Sequence, residues 1–348
     1  MRKGKKELNK MKFIEKSHLF DVDEVCLNQG KYLVNKCGLL YTYSSDLKEE
    51  GWVSDYMANA VLLVDGKSDY LVEHTQMRKI KVRDRKTLEP ISTMEEYEGG
   101  LPYRVCFSLD GQSLFVILGK SGASSVPAIL ANLVERSYQF RLLRFTLPGL
   151  EFAEEIDLSD LNPVDIRKLE SENCYLIQDQ SGQMYFMDES GAVDGPDLPP
   201  HFDKDSPLFY NSARKEFYRR SPEGFVVYSR EMKELDSLFL FGDDVLKMSS
   251  LYSFNLKKVG KSDPFEEPSL EEKRFNIDRF GVYDHDHVVF NVNDIKANTS
   301  KLVMYSFEKK QQEIIADVVG FIQDFYIMGN TIAFLERRTL HFLEVENG

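Results

Sequence analysis

Residues 28–34 read NQGKYLV, a turn followed by an apolar triplet, and the same phrase returns along the whole chain. It is DGKSDYLV at 65–72, SLDGQSLFV at 108–116, SENCYLI at 171–177, SARKEFY at 212–218, YDHDHVVF at 283–290 and MGNTIAF at 328–334. The triplet centres Leu33, Leu71, Phe115, Leu176, Tyr218, Val289 and Ala333 are separated by 38, 44, 61, 42, 71 and 44 residues. A period of about 40–50 residues with several short strands in each copy marks a sheet repeated as a unit. In the first copy VCLNQGKYLV reads strand, turn, strand. LLYTYS continues it after Lys36, Cys37 and Gly38, and DLKEEG closes the unit with polar residues. The second copy repeats these parts as AVLLVDGKSDYLVEH and KIKVRDRKTLEPI. Asp65-Gly66, Asp110-Gly111 and Gly329-Asn330 each stand between two apolar runs, where a hairpin needs residues that tolerate positive φ.

The repeat predicts an all-β fold, a β-propeller of about seven four-stranded blades. Six or eight blades stay open, because the 71-residue step has room for a degenerate blade around VLKMSSLYSFNL at 245–256. The 24 Phe and 17 Tyr favour strands, whose pleated faces accept flat side chains. An open row of blades would leave bare sheet edges, so closure is expected: residues 320–345 offer three strands, and residues near Ile14 to Val22 the fourth. The segment FSLDGQSLFVI at 107–117 resembles the strand-turn-strand core of WD40-like repeats. The Gly-His and Trp-Asp dipeptides of typical WD40 repeats are absent, and Trp52 is the single tryptophan, so the resemblance is to a diverged member. It implies a disc of radially packed blades and no particular chemistry. The expected organisation is a basic flexible arm at 1–13 and one propeller domain over 14–348, with insertions at 119–137 and 256–275.

A net charge of −13 opposes binding to a phosphate backbone and favours protein partners with a basic patch. Arg2, Lys3, Lys5, Lys6, Lys10 and Lys12 crowd the start, but no apolar segment of signal-peptide length follows before Ser17 and His18. No apolar run is long enough to span a bilayer. Cys26, Cys37, Cys106 and Cys174 form no C-x-x-C pair and read as buried free thiols of a cytoplasmic protein.

In the first insertion, Ser125 and Pro127 suit a helix start. Ile129, Leu130, Leu133 and Val134 then fall on one helical face, which packs on the host blade or serves a partner. The second insertion, polar and Pro-containing, reads as a long loop with Phe265 and Leu270 framed by Glu266, Glu267, Glu271 and Glu272.

Few residues announce chemistry. Asp284, His285, Asp286 and His287 are the densest group of potential ligands; on an extended chain His285 and His287 would share a face, two short of a tetrahedral site. The same residues occupy the position of the repeat's turn, which is the simpler reading. His18, His74, His201 and His341 are isolated. Gly-Lys-Ser at Gly66, Gly119 and Gly260 lacks the upstream glycine of a phosphate loop, where Val61, Leu114 and Asn255 stand instead, so all three read as surface turns. Propeller sites are assembled from single residues on inner strands, for which Asp23, Glu24, Asp165, Arg167 and Asp324 are candidates. The expected function is a non-enzymatic intracellular protein-binding scaffold without cofactor. The alternative is a hydrolase or lyase acting on a small polar substrate at the central channel, with or without a metal ion.

Overall fold

The computed structural model describes residues 12–57, 60–76, 78–121, 138–158, 161–180, 183–195, 208–211, 213–221, 224–239, 275–276, 279–294 and 297–346. After β1 (Lys12–Leu19), the strands fall into antiparallel sheets in chain order. Blade 1 is β2 (Glu24–Asn28), β3 (Lys31–Lys36), β4 (Leu39–Tyr43) and β5 (Glu49–Val53). Blade 2 is β6 (Val61–Val64), β7 (Tyr70–Thr75), β8 (Lys79–Asp84) and β9 (Pro90–Met94). Blade 3 is β10 (Leu101–Phe107), β11 (Ser113–Ser121), β12 (Tyr138–Thr146) and β13 (Glu151–Ile156). Blade 4 is β14 (Pro163–Leu169), β15 (Cys174–Asp179), β16 (Met184–Met187) and β17 (Val193–Asp194). Blade 5 is β18 (Leu208–Asn211), β19 (Glu216–Ser221), β20 (Gly224–Tyr228) and β21 (Glu234–Phe239). In blade 6, β22 (Phe275–Asn276) and β23 (Phe280–Val282) both pair with β24 (His287–Asp294), followed by β25 (Thr299–Ser306) and β26 (Gln311–Val319). Blade 7 is β27 (Ile322–Met328), β28 (Thr331–Glu336) and β29 (Thr339–Glu346), with β1 as its outermost strand. The molecule is a seven-bladed β-propeller.

The apolar triplet is the second strand of every blade, and the packing explains it. Side chains alternate across a strand, and each blade is covered on both faces. Ile332 and Phe334 pack against blade 6, while Ala333 between them packs against blade 1. Likewise Tyr32 and Val34 face blade 7 and Leu33 faces blade 2; Leu114 and Val116 face blade 2 and Phe115 faces blade 4. Tyr175 and Ile177 face blade 3 and Leu176 blade 5, and Val288 and Phe290 face blade 5 and Val289 blade 7. A strand buried on both sides must be apolar at consecutive positions, whereas a one-sided sheet would alternate. Every neighbouring pair of blades shares such a buried cluster, from blades 1 and 2 round to blades 7 and 1, so the ring is closed by packing as well as by pairing.

Closure follows the sequence reading. Ladder partners run from Lys12 opposite Glu346 to Leu19 opposite Leu340, with one irregularity between Glu15 and Ser17. Antiparallel succession then assigns the loops to faces. The links from an outermost strand to the next blade's innermost strand share one face with the hairpins between second and third strands, here termed the connection face. The remaining hairpins make the opposite face.

Several local expectations change. DLKEEG is not only a polar closing segment: Glu49–Val53 is the fourth strand, with Trp52 57% exposed on it. Gly66 and Lys67 form the expected turn, but Gly119 lies inside β11 opposite Leu101, so the insertion expected from 119 begins after the strand ends at Ser121. Ile129, Leu130, Leu133, Val134, Phe265 and Leu270 lie outside the described residues, as do 245–256, Gly260, His201 and the arm up to Met11. The cysteines are free thiols, yet only Cys106 and Cys174 are buried; Cys26 is half-buried and Cys37 is exposed on a hairpin.

Candidate functional site

The first strands of neighbouring blades approach one another around the axis: β27 and β2, β2 and β6, β10 and β14, β18 and β23, β23 and β27. Asn28, Asp65, Ser108, Leu169, Asn211, Tyr283 and Met328 are the residues entering the first hairpins. Four strand positions back from each, which stays on one face because strand side chains alternate with period two, stand Glu24, Val61, Arg104, Asp165, an undescribed position, Arg279 and Asp324. The six described ones occupy equivalent places on their first strands and form one tier around the axis. In blades 3, 4 and 7 the ladder shifts register immediately before the tier residue, between Pro102 and Arg104, Pro163 and Asp165, and Ile322 and Asp324. A bulge of this kind re-aims the following side chain.

Neighbours in the tier pair across blades. Arg104 Nε is 3.5 Å from Asp165 Oδ1, and Arg279 Nε is 3.2 Å from Asp324 Oδ1. Between blades 7 and 1 the order places two acids together, Asp324 and Glu24. Burial raises the Glu24 carboxyl to about 7, and the Asp324 and Glu73 carboxylates add to the rise. Hydrogen bonds from the Leu62 amide at 3.1 Å and the Tyr56 hydroxyl at 3.2 Å pull the other way without cancelling it. Burial also raises Asp324, against the Arg279 guanidinium.

Behind Glu24, a charged network replaces part of the apolar seam between blades 1 and 2. Glu73 and Arg83 are both wholly buried and directly paired. Arg83 also donates to the Leu88 carbonyl at 2.7 Å and to Asp55 Oδ1 at 2.6 Å, and Lys81 Nζ lies 3.3 Å from Asp55 Oδ2. The Met57 amide donates to Glu73 Oε2 at 3.0 Å, so the link carrying Asp55, Tyr56 and Met57 is tied to blades 1 and 2 by polar contacts.

Of the five residues expected near inner strands, Glu24, Asp165 and Asp324 lie in the tier. Asp23 instead accepts the Cys37 amide at 2.9 Å and pairs with Arg338 at 3.0 Å, and Arg167 pairs with Asp165 at 2.8 Å. Arg104 and Arg279 were missed by sequence reasoning; counting back from each turn is the signal that finds them. Asp284, His285 and Asp286 make a bend rather than a strand, so His285 and His287 share no strand face. Asp284 Oδ1 accepts the Asp286 and His287 amides at 2.8 and 2.7 Å, and Asp286 accepts the Ser306 hydroxyl at 2.6 Å: the cluster holds its own turn. Among the described residues no group of three or more His, Cys, Asp or Glu side chains is disposed to hold a metal ion. His74 is buried with Nε2 3.3 Å from the Pro102 carbonyl, burial lowering its pKa. No helix among the described residues is long and apolar enough to cross a membrane.

The exposed large apolar side chains sort by position. Ile14, Trp52, Ile91, Phe152, Val193, Leu235 and Ile314 lie on outermost strands, at the rim. Phe20, Val61, Val319 and Phe321 lie on the connection face at the links 7 to 1, 1 to 2 and 6 to 7, and Leu27 stands apart on the first strand of blade 1. A cavity of about 420 Å³ opens toward the outside of the seam between blades 3 and 4, lined by Asp157, Leu158, Tyr185 and Val193 among others, away from the tier. No protein-family model matches this chain, and no curated protein is significantly similar to it.

Proposed function

We propose that this chain is a non-enzymatic protein-binding scaffold that holds a protein partner on the connection face of its disc. The observation that carries this reading is the gathering of Phe20, Val61, Val319 and Phe321 on consecutive blades of that one face. Exposed apolar groups collected in one place, rather than scattered singly, are the mark of an interaction surface. The net charge of −13 favours a partner with a basic patch. Kinship with WD40-like repeats belongs to the same proposal, supported by the 107–117 segment, which forms the first hairpin of blade 3, and by the manner of ring closure.

A second reading, a hydrolase or lyase of small polar substrates at the channel, is favoured by Glu24, which holds a proton near neutrality beside Asp324. Two captures separate the readings: the intact chain against Phe20→Ser/Phe321→Ser, and against the rim variant Trp52→Ser/Ile91→Ser. A stoichiometric partner kept by the rim variant and lost by the face variant is the expected result. A partner lost only with the rim variant overturns the face assignment. Thermal stabilisation by a small metabolite that disappears in Glu24→Gln/Asp324→Asn, with no partner captured, favours the channel reading instead.

A further inference from the structure

The cavity of about 420 Å³ at the seam of blades 3 and 4 is of a size that holds a small molecule, and its two walls have different origins. One wall is the link after β13, where Asp157, Leu158 and Leu161 line the space and the Leu161 amide donates to the Leu158 carbonyl at 2.7 Å. The other is the outer half of blade 4: Tyr185 on β16, Gly191 in the next hairpin, Val193 on β17 and Gly195 just past it. Tyr185 stands opposite Ile177 in the ladder, so its ring turns toward blade 3. A Cβ on Gly195 would lie 2.8 Å from Tyr185 Cδ1, and one on Gly191 2.7 Å from Ile156 Cγ2. Bare backbone is packed onto both neighbours, which fixes this wall in place.

The lining is one-sided in charge. It holds Leu158, Leu161 and Val193, the Tyr185 ring and the Asp157 carboxylate, and no cationic side chain. No Lys or Arg occurs in 145–166 or in 169–203, the stretches that supply the walls, whereas Asp157, Asp179, Asp188 and Asp194 do. The arginines of β12 are held by other acids, Arg141 by Glu155 at 2.5 Å and Arg144 by Glu189 at 2.7 Å. The Tyr185 hydroxyl donates to Asp179 Oδ2 at 3.4 Å, and burial raises its pKa, so it stays a neutral phenol with an electron-rich ring face.

We infer that this cavity binds a small organic cation, an ammonium or guanidinium group on a short apolar stem. The stem lies against Leu158, Leu161, Val193 and the Tyr185 ring, and the charged head meets Asp157. A carboxylate accepts up to about four hydrogen bonds, so the head joins the contacts that Asp157 already makes. Anions are repelled by the same walls, and a neutral molecule of the same shape gains only the apolar part. The cavity lies away from the apolar gathering at the links from blade 6 round to blade 2, so this inference stands apart from the scaffold reading.

The test is saturation-transfer NMR on the intact chain. The probes are isopentylamine, isopentylguanidine and phenethylamine, with isopentanol and isovalerate as neutral and anionic mates of the same stem and a capped lysine peptide. The free cations are expected to bind, isopentanol about tenfold more weakly and isovalerate not at all. Asp157→Asn should weaken the cations about tenfold and leave isopentanol unchanged. Asp194→Asn, an exposed acid of β17 outside the lining, should change neither. Val193→Lys sets a tethered ammonium at the cavity and should abolish cation binding; because Val193 is exposed, its unfolding transition should not move. Should Asp157→Asn shift that transition, Val193→Lys decides. Isopentanol binding as well as the amines, equal losses in Asp157→Asn and Asp194→Asn, or no binding of any free cation at millimolar concentration overturns the inference. Binding of the lysine peptide without the free amines overturns it too, and assigns the cavity to a protein partner.

Discussion

Glu24 illustrates how one side chain takes its properties from several blades. Its carboxyl is raised from the ordinary 4.5 to about 7 by burial, with Asp324 of blade 7 and Glu73 of blade 2 adding to the shift. A carboxyl raised on folding holds its proton more tightly in the folded chain. Its contribution is therefore full below about pH 4.5 and is lost as the pH climbs through about 7. Urea unfolding at mildly acidic and mildly alkaline pH should show the intact chain losing about 3 kcal/mol across this window, while Glu24→Gln stays nearly flat. An equal decline in Glu24→Gln would assign the pH dependence elsewhere. Glu73 and Arg83 pose the complementary case. Each is buried with the other as its partner, so Glu73→Leu or Arg83→Met alone should cost about 3–5 kcal/mol in the same assay, and the double replacement less than either.

At the scale of elements, β1 joins the two ends of the chain into one sheet, and without it the outer edge of β29 is bare. A chain lacking residues 1–19 should elute as aggregate or higher oligomer in size-exclusion with light scattering; a stable monomer would show that packing alone closes the ring. Turns differ in what they tolerate. Gly111 has φ +73, and a Cβ there would meet the Ser68 amide nitrogen at 2.8 Å, so Gly111→Ala combines left-handed strain with a collision against blade 2 backbone. Gly30, at φ +77, has open space, so Gly30→Ala should cost only about 1 kcal/mol in urea unfolding and Gly111→Ala clearly more. These hairpins were legible in the sequence because turn chemistry is local, as with the apolar triplets, where two-sided burial imposes consecutive apolar residues. The fourth strand at Glu49–Val53 was less legible, since an outermost strand is wet on its exposed positions and reads like loop.

For the whole molecule, buried clusters couple every neighbouring pair of blades, and among the described residues each cluster is shared between two blades. Phe115→Ala, emptying the seam between blades 3 and 4, should destabilise the chain by about 3–5 kcal/mol. The loss should appear as a shift of one unfolding transition monitored by Trp52 fluorescence and circular dichroism; a separate early transition would mean that blades melt independently. The apolar gathering on the connection face belongs to this scale too, because Phe20, Val61, Val319 and Phe321 come from three links that meet only in the closed ring. The repeat, the second strand of each of seven blades, the turns and the closing role of the first strand follow from the amino-acid order alone, since each rests on burial pattern or backbone chemistry within a few residues. The folded ring sets which single residues share a tier around the axis, that Asp324 pairs with Arg279 while its carboxylate also raises Glu24 across the closing seam, and that Phe20, Val61 and Phe321 lie on one face. Electrostatic neighbours and surface patches are set by distance in space, and ring closure brings together residues that lie three hundred or so positions apart in the chain.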